Sequence, residues 1–149
     1  MLSTMSELVH EYRLLIADVY ELAGVSRRSS EREAADQGTT VARWHVLSTV
    51  SEQPLPVPAI ARRLGQVRQG VQRVVDELTE VGQLRTEPNP AHRRSPLYAL
   101  TPDGARLLEQ LWTASESPRL TLLEDSGVNA EDLRRARDTL RRLSNAPNP

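Results

Sequence analysis

The sequence lacks cysteine, lysine and phenylalanine altogether. Without cysteine the chain can form no disulfide, no thiolate nucleophile and no cysteine-based metal site. Without phenylalanine, and with 38% hydrophobic residues, its core must consist mainly of leucine, valine, alanine and isoleucine. The N-terminal region has acidic residues inside its first apolar stretch and no uninterrupted apolar run, so we expect no signal peptide and no membrane span. A cytoplasmic protein is expected.

Charge is unevenly distributed along the chain. Every one of the 19 basic residues is arginine. Residues 57–106 contain eight arginines and five acidic residues, a net charge of +3, whereas the rest contains eleven and fifteen, a net charge of -4. The middle of the chain is therefore the candidate for binding an anionic partner. The histidines are too scattered for a metal site, and no nucleophile–base pair or phosphate-binding glycine loop occurs, so we expect neither an enzyme nor a cofactor.

Apolar residues at helical spacing predict long helices at both ends of the chain. The first should begin after Ser6 as its N-cap and end near Gly24, with an exposed helical extension over residues 26–36. Another should begin with Thr101 as N-cap and Pro102 at its first position, and Pro118 should kink or split it because proline removes a backbone donor. The apolar stripes of the first and last helices are Leu8, Tyr12, Leu15, Val19 and Leu22, and Leu133, Ala136, Leu140 and Leu143.

Three short helices and a β-hairpin are predicted between these ends. Thr40 should cap the first short helix, Pro58 should be the first residue of the second, and Gly65 should end it. The third should run from about Arg68 to Gly82. The alternating segments "QLRTEP" and "PLYAL" flank the loop "NPAHRRS" and predict the hairpin. The apolar faces are Val41, Trp44, Leu47 and Val50 in the first helix, and Val71, Val74, Val75, Leu78 and Val81 in the third.

The third short helix carries arginine and glutamine on its other face, within its first two turns. In the major groove of DNA, arginine pairs bidentately with guanine and glutamine with adenine. A helix N-terminus also attracts phosphate groups. Two short helices, a polar-faced third helix and a hairpin are typical of a winged helix-turn-helix domain. The polar-face residues are Arg68, Gln69, Gln72 and Arg73.

The segments "VARWHVLSTV", "RQGVQRVVDELTEVG", "HRRS" and "LTPDG" together resemble the MarR family of winged helix-turn-helix transcriptional regulators, over about residues 41–108. The resemblance implies a mainly α fold with a small β-hairpin wing, flanked by N- and C-terminal dimerisation helices. It also implies a homodimer that binds a pseudo-palindromic operator on double-stranded DNA, most often as a repressor. Many members of the family bind a small, often aromatic, effector between the dimerisation and DNA-binding parts.

The resemblance also implies which residues act. Tyr12, Trp44 and His45 would lie beside the effector pocket, although residues of these types more often have ordinary positions in a core or on a helix surface. At the wing tip, His92 stands where the family usually has an aspartate that holds the wing arginine, here Arg94. Either the prolines around the loop orient the wing, or His92 itself contacts DNA. The implied DNA-binding residues are Arg68, Gln69, Gln72, Arg73, His92, Arg93 and Arg94.

The expected organisation has four segments: dimerisation helix 1–36, DNA-binding domain 40–100, dimerisation helices 101–144 and a disordered tail 145–149. Dimerisation is expected because one small winged-helix domain cannot readily bury apolar stripes at both ends of the chain. The alternative is a winged-helix protein-interaction module that does not read DNA sequence. The basic middle of the chain favours DNA.

Overall fold

A computed structural model describes residues 2–147 as a mainly helical fold with one two-stranded antiparallel sheet, which confirms the predicted fold class. The last two residues of the predicted tail, 148 and 149, lie outside the described residues. The chain divides into two compact units within α5, between Trp112 and Thr113. The elements are α1 (Leu2–Asp36), α2 (Val41–Val50), α3 (Val57–Leu64), α4 (Arg68–Glu80), β1 (Leu84–Glu87), β2 (Leu97–Leu100), α5 (Pro102–Ser126) and α6 (Ala130–Ser144).

Helix α1 begins earlier than the sequence predicted and forms one continuous helix with its predicted extension. It begins at Leu2, so Ser6 is not its N-cap, and it continues through Gly24 to Asp36. A single glycine costs a helix only about 1 kcal/mol relative to alanine, which the many helix-forming neighbours offset. The extension was also expected to be exposed, but Ser30 and Ala34 are buried and Ala34 belongs to the core. Ser30 and Ala34 are small side chains four residues apart, so they lie on one face of α1, and that face is shielded from water.

The core of the first unit lies among α2, α3 and α4. The Thr40 side chain accepts a hydrogen bond from the Arg43 backbone N–H at 3.3 Å, which confirms the predicted N-cap. Helix α3 begins at Val57, so Pro58 is its second residue and not its first. Val81 was predicted to be buried, but it is 51% exposed because α4 ends at Glu80 and the helical periodicity stops there. The predicted apolar faces are otherwise buried: Val41, Trp44, Leu47, Val50, Val71, Val74, Val75 and Leu78.

The turn between α3 and α4 depends on Gly65. Its φ of 63° lies in the left-handed region, which residues with a side chain seldom adopt. The backbone N–H of Gln66 donates to the Ala61 carbonyl at 2.9 Å and so closes the end of α3. Two residues later α4 begins at Arg68. The conformation of Gly65 therefore sets the direction in which α4 leaves the turn.

Strand β2 of the hairpin is hydrogen-bonded on both of its edges. Strand β1 pairs antiparallel with β2, Leu84 opposite Leu100 and Thr86 opposite Tyr98. Tyr98 also exchanges two backbone hydrogen bonds with Leu55, at 2.9 and 3.1 Å, in the loop before α3. The sheet therefore has a third, single-residue contact that fixes the position of β2.

The start of α5 packs tightly against the chain before β1. The Thr101 hydroxyl donates to the Gly82 carbonyl at 2.6 Å and accepts from the Gly104 backbone N–H at 3.1 Å, as expected for the N-cap. A Cβ on Gly104 would lie 2.0 Å from the Gln83 carbonyl oxygen, so only glycine fits this approach. These contacts fix the start of α5 against the segment that leads into β1.

Helix α5 continues through Pro118 to Ser126, so the predicted split does not occur. Proline removes one hydrogen-bond donor, and the turns on both sides can hold the helix when only that bond is missing. The second unit ends with α6, whose N-cap Asn129 accepts from the backbone N–H groups of Glu131 and Asp132 in a capping box. No α6 residue is buried. Within residues 2–147, no helix is long and apolar enough to cross a membrane.

Candidate nucleic-acid interface

A groove of about 800 Å³ opens between α3, the start of α4 and the wing tip, the loop of residues 88–96 that joins β1 to β2. Two parts of the chain that are distant in sequence meet there, the region of α3 and the start of α4, and the wing tip. Arg68 enters from the first position of α4, and His92 and Arg94 enter from the wing tip. The residues that line the groove are Pro56, Pro58, Ala59, Ala61, Arg62, Gln66, Arg68, His92, Arg94 and Ser95.

The groove is suited to an anion. Arg62, Arg68 and Arg94 line it, and none of the described residues that line it is acidic. The N-cap of α4 is Val67, which makes no side-chain hydrogen bond to the helix. The first backbone N–H groups of α4 are therefore left without a side-chain partner, at the positive end of the helix dipole. Three guanidinium groups and a helix N-terminus on one surface favour binding of phosphate oxygens.

The four predicted base-reading residues of α4 are all exposed, but they differ in how firmly they are held. The Gln72 amide nitrogen donates to an Asp76 carboxylate oxygen at 2.8 Å and to the Tyr98 hydroxyl at 3.2 Å. The Arg73 guanidinium lies 3.5 Å from a carboxylate oxygen of Glu77. No ion pair involves Arg68 within residues 2–147, and no hydrogen bond involves the Gln69 side chain there. Helix α4 thus presents both fixed and free side chains.

Glu77 joins α4 to α2. Its second carboxylate oxygen accepts from the Arg43 guanidinium at 3.2 Å, while its first pairs with Arg73. Arg43 is mostly covered, whereas the Arg73 side chain is 82% exposed. The pairing of Arg73 with Glu77 is therefore the weaker one, since exposed ion pairs contribute little. Sequence reasoning did not find Glu77, because its main partner lies 34 residues away.

Asn89 holds the wing tip and was also missed from the sequence. Its side-chain nitrogen donates to the Ser95 carbonyl at 2.8 Å, across the mouth of the loop. Its side-chain oxygen accepts from the Ala91 backbone N–H at 3.1 Å, and its own carbonyl accepts from the His92 N–H at 3.2 Å. An Asn-Pro dipeptide is a known turn-forming combination, so "NP" at 89–90 was the available indication.

The wing tip exposes its three predicted DNA-binding residues, His92, Arg93 and Arg94. His92 and Arg94 line the groove, and Arg93 does not. Proline stiffening and direct contact by His92 were the two alternatives for a wing without the family aspartate. The hydrogen bonds of Asn89 supply a third means of ordering the loop. The DNA contacts of all three side chains stay a prediction.

Of the three predicted effector-pocket residues, His45 lines a groove, while Trp44 and Tyr12 have different environments. Trp44 is buried in the core, and Tyr12 is half exposed on α1. His45 lines a smaller groove of about 320 Å³ together with Ser48, Thr49, Glu52, Arg63 and Leu64. Partial burial lowers the pKa of His45, and the positive charge of Arg27 lowers it further. The effector assignment stays a prediction.

Comparison with known proteins identifies the family. A model of the MarR family matches residues 37–95, which include the helix-turn-helix and most of the wing. The chain belongs to the MarR family. Proteins of this family are DNA-binding transcription regulators and not enzymes, and the chain is accordingly a regulator of this type. An uncharacterized protein of Mycobacterium tuberculosis is 46% identical over 136 residues, covering 89% of this chain and 92% of that protein.

Several solved structures share the fold. CouR from Rhodococcus jostii, bound to p-coumaroyl-CoA, has a TM-score of 0.74 at 22% identity and covers 88% of this chain and 92% of its own. Staphylococcus aureus MarR, in complex with salicylate and kanamycin, has a TM-score of 0.70 at 13% identity and covers 89% of both chains. BldR from Sulfolobus solfataricus has a TM-score of 0.71 at 21% identity, covering 89% of this chain and 95% of its own.

Proposed function

We propose that this MarR-family protein is a homodimeric repressor that binds a pseudo-palindromic operator through α4 and the wing tip. In this proposal residues 40–100 form the DNA-binding domain, and residues 1–36 and 101–144 dimerise. Because its ligand is duplex DNA, the protein acts in the cytoplasm. Arg68, Gln69, Gln72 and Arg73 enter the major groove, while His92, Arg93 and Arg94 contact the adjacent minor groove and its phosphates.

The observation that carries the proposal is the groove that brings Arg62, Arg68 and Arg94 together. Arg68 and Arg94 are separated by 26 positions in the sequence, yet they line one surface without an acidic neighbour among its described residues. The chain as a whole has a net charge of -1, so this local concentration of positive charge favours an anionic ligand at the groove. Helix α4, with 13 residues and an exposed polar face, has the dimensions of a helix that enters the major groove.

Exposed apolar faces support the dimer. In α6, Leu133, Leu140 and Leu143 are 42%, 36% and 42% exposed, and no residue of that helix is buried. An amphipathic helix whose apolar face meets only water is unfavourable, so a partner should cover it. In α1 a second set is exposed: Met5, Leu8, Val9, Tyr12, Leu14 and Leu22. A two-fold dimer would place two α4 helices about 34–36 Å apart, one turn of DNA.

Repression and effector control complete the proposal. A dimer that occupies two half-sites excludes other proteins from that stretch of duplex, so repression needs no contact beyond DNA binding itself. CouR holds p-coumaroyl-CoA, and Staphylococcus aureus MarR holds salicylate and kanamycin; p-coumaroyl-CoA and salicylate both contain a hydroxylated aromatic ring. By analogy we infer a small aromatic effector beside Tyr12, Trp44 and His45. Effector binding would lower the affinity for the operator.

Fluorescence anisotropy with labelled duplex DNA tests the DNA-binding interface. Six to ten phosphate contacts should reduce affinity by about 10³–10⁵ between 50 and 200 mM salt. Substituting Arg68→Ala should weaken binding by about 1–3 kcal/mol, roughly 5- to 150-fold, and relax base preference. Arg94→Ala should weaken binding to all sequences more evenly. The matched control is Arg32→Ala, which removes an exposed arginine of α1.

Each measurement has a result that would contradict the proposal. If Arg68→Ala and Arg94→Ala bound the selected operator as the wild type does, the assigned interface would be wrong. If binding to duplex DNA were weak and insensitive to salt, the protein-interaction module would be the better description. Sedimentation of the free protein at micromolar concentration tests the dimer, and a monomer there would refute it.

A further inference from the structure

We propose that Tyr98 and Asp76 fix the orientation of the Gln72 amide, so that Gln72 presents only its carbonyl oxygen to the major groove. Gln72 would then recognise an amino group on a base, of adenine or of cytosine, and would not select adenine alone. This inference rests on the proposed DNA-binding function. It assigns a base preference to one position of each half-site.

Hydrogen-bond chemistry determines the orientation of the amide. A glutamine side chain has two N–H donors and one carbonyl oxygen, and an ionised carboxylate can only accept. The atom of Gln72 that lies 2.8 Å from the Asp76 carboxylate must therefore be its nitrogen. The same nitrogen lies 3.2 Å from the Tyr98 hydroxyl, which uses its second hydrogen. Within residues 2–147, no hydrogen bond to the Gln72 carbonyl oxygen occurs, so this oxygen is the group available to DNA.

Tyr98 is a rigid anchor for this arrangement. Its side chain is part of the core and the residue is only 6% exposed. Its backbone is held on one side by pairing with Thr86 and on the other by two hydrogen bonds to Leu55. The hydroxyl is therefore fixed in space relative to α4. A glutamine held at its nitrogen end by such an anchor loses little further freedom when its oxygen meets a base.

The donors and acceptors of the bases then give the preference. Glutamine selects adenine by two bonds: its oxygen accepts from adenine N6, and its nitrogen donates to adenine N7. In this protein both hydrogens of the Gln72 nitrogen are already used. Only the first bond remains, and the N4 amino group of cytosine can donate to the same oxygen. Guanine and thymine present acceptors there and would be rejected.

Selection of bound duplexes from a random pool, followed by sequencing, tests the inference. With the full-length wild-type protein, one position per half-site should accept adenine and cytosine about equally and exclude guanine and thymine. Gln72→Ala should abolish the preference at that position and so identify it. Tyr98→Phe frees one N–H while keeping the ring, so adenine should become preferred over cytosine by roughly fivefold or more.

A second variant and a control complete the design. Asp76→Ala changes an exposed residue, frees the other N–H and should shift the preference in the same direction as Tyr98→Phe. It provides the test should Tyr98→Phe fail to fold. Thr79→Val removes a hydroxyl from the far end of α4 and should leave the preference unchanged.

Three results would overturn the inference. One is a strict adenine preference at the Gln72 position in the wild-type protein. Another is an unchanged preference in both the Tyr98→Phe and Asp76→Ala proteins. The third is the absence of any position that depends on Gln72. If the wild type bound duplex DNA tightly in each case, the proposed function would stand. A wild type that bound no duplex at all would refute both proposals.

Discussion

Removal of the Asn89 side chain should weaken DNA binding without unfolding the protein. In Asn89→Ala the wing tip loses the bond from the Asn89 side chain to the Ser95 carbonyl and the bond from the Ala91 N–H to that side chain. The strands on either side of the loop keep their pairing between residues 84–87 and 97–100. The lost order should therefore be confined to the segment that carries Arg94.

The size of the effect follows from these two bonds. Each intramolecular hydrogen bond contributes about 0.5–1.5 kcal/mol net, so the closed loop becomes less favoured by roughly 1–3 kcal/mol. Because the loop is at the surface, water can satisfy the released groups, and the lower part of this range is expected. If DNA binding requires the closed loop, the cost appears in affinity. We expect a dissociation constant that is five- to thirtyfold larger, which corresponds to a loss of about 1–2 kcal/mol in the free energy of binding.

Anisotropy titrations and thermal unfolding measure the two consequences separately. The affinity of Asn89→Ala should fall for the selected operator and for random duplex alike, because phosphate contacts carry no sequence information. The midpoint of thermal unfolding should change by only a few degrees. Asn145→Ala, at the end of α6, is the matched control and should bind DNA as the wild type does. Wild-type affinity in Asn89→Ala would refute a role for this loop order in binding.

Two further predictions concern charge. Glu77→Gln removes the carboxylate that competes with DNA for Arg73, so anisotropy should show tighter binding, by up to about fivefold because the ion pair is exposed. Glu80→Gln, equal in charge but without an ion pair to Arg73, should give a smaller gain, and equal gains would contradict a role for the Arg73–Glu77 pair. The pKa of His45 is lowered from its ordinary value of 6.5 in the folded chain, so the unfolded chain binds the proton first as the pH falls. The wild-type free energy of unfolding should therefore decrease as the pH drops below about 6.5. Urea titrations of His45→Gln should show a smaller decrease, and equal decreases in the two proteins would contradict this account.

Local features of the sequence predicted most of the fold. Thr40 and Thr101 are N-caps, and each makes its hydrogen bond to a backbone N–H three residues away. Such signals depend on neighbours in the sequence and can be found without a structure. The helix boundaries were predicted wrongly where a helix continues through a single helix-breaking residue, because helix formation is cooperative. Helix α1 continues through Gly24 and α5 through Pro118, since one unfavourable residue costs less than two new helix ends.

The candidate site was predictable in its residue types but not in its contacts. Arginine and glutamine on one face of α4 could be found from spacing alone. The long-range partners of Gln72 and Glu77 could not, because Tyr98 lies 26 residues from Gln72 and Arg43 lies 34 residues from Glu77. A hydrogen bond across such a distance depends on the register of β2 and on the packing of α2. Neither can be calculated from the sequence pattern.

The differences among the α4 side chains separate affinity from base preference. Arg68 has no ion-pair partner within residues 2–147 and lies beside the helix N-terminus, so it can follow a phosphate or a base wherever the duplex places it. Gln72 is held at its nitrogen by a buried tyrosine and cannot adapt in this way. A fixed group rejects a wrong base because it cannot move to satisfy it, and a free group adds affinity that salt reduces. Operator choice should therefore depend on β2, which carries Tyr98, as much as on the helix that enters the groove.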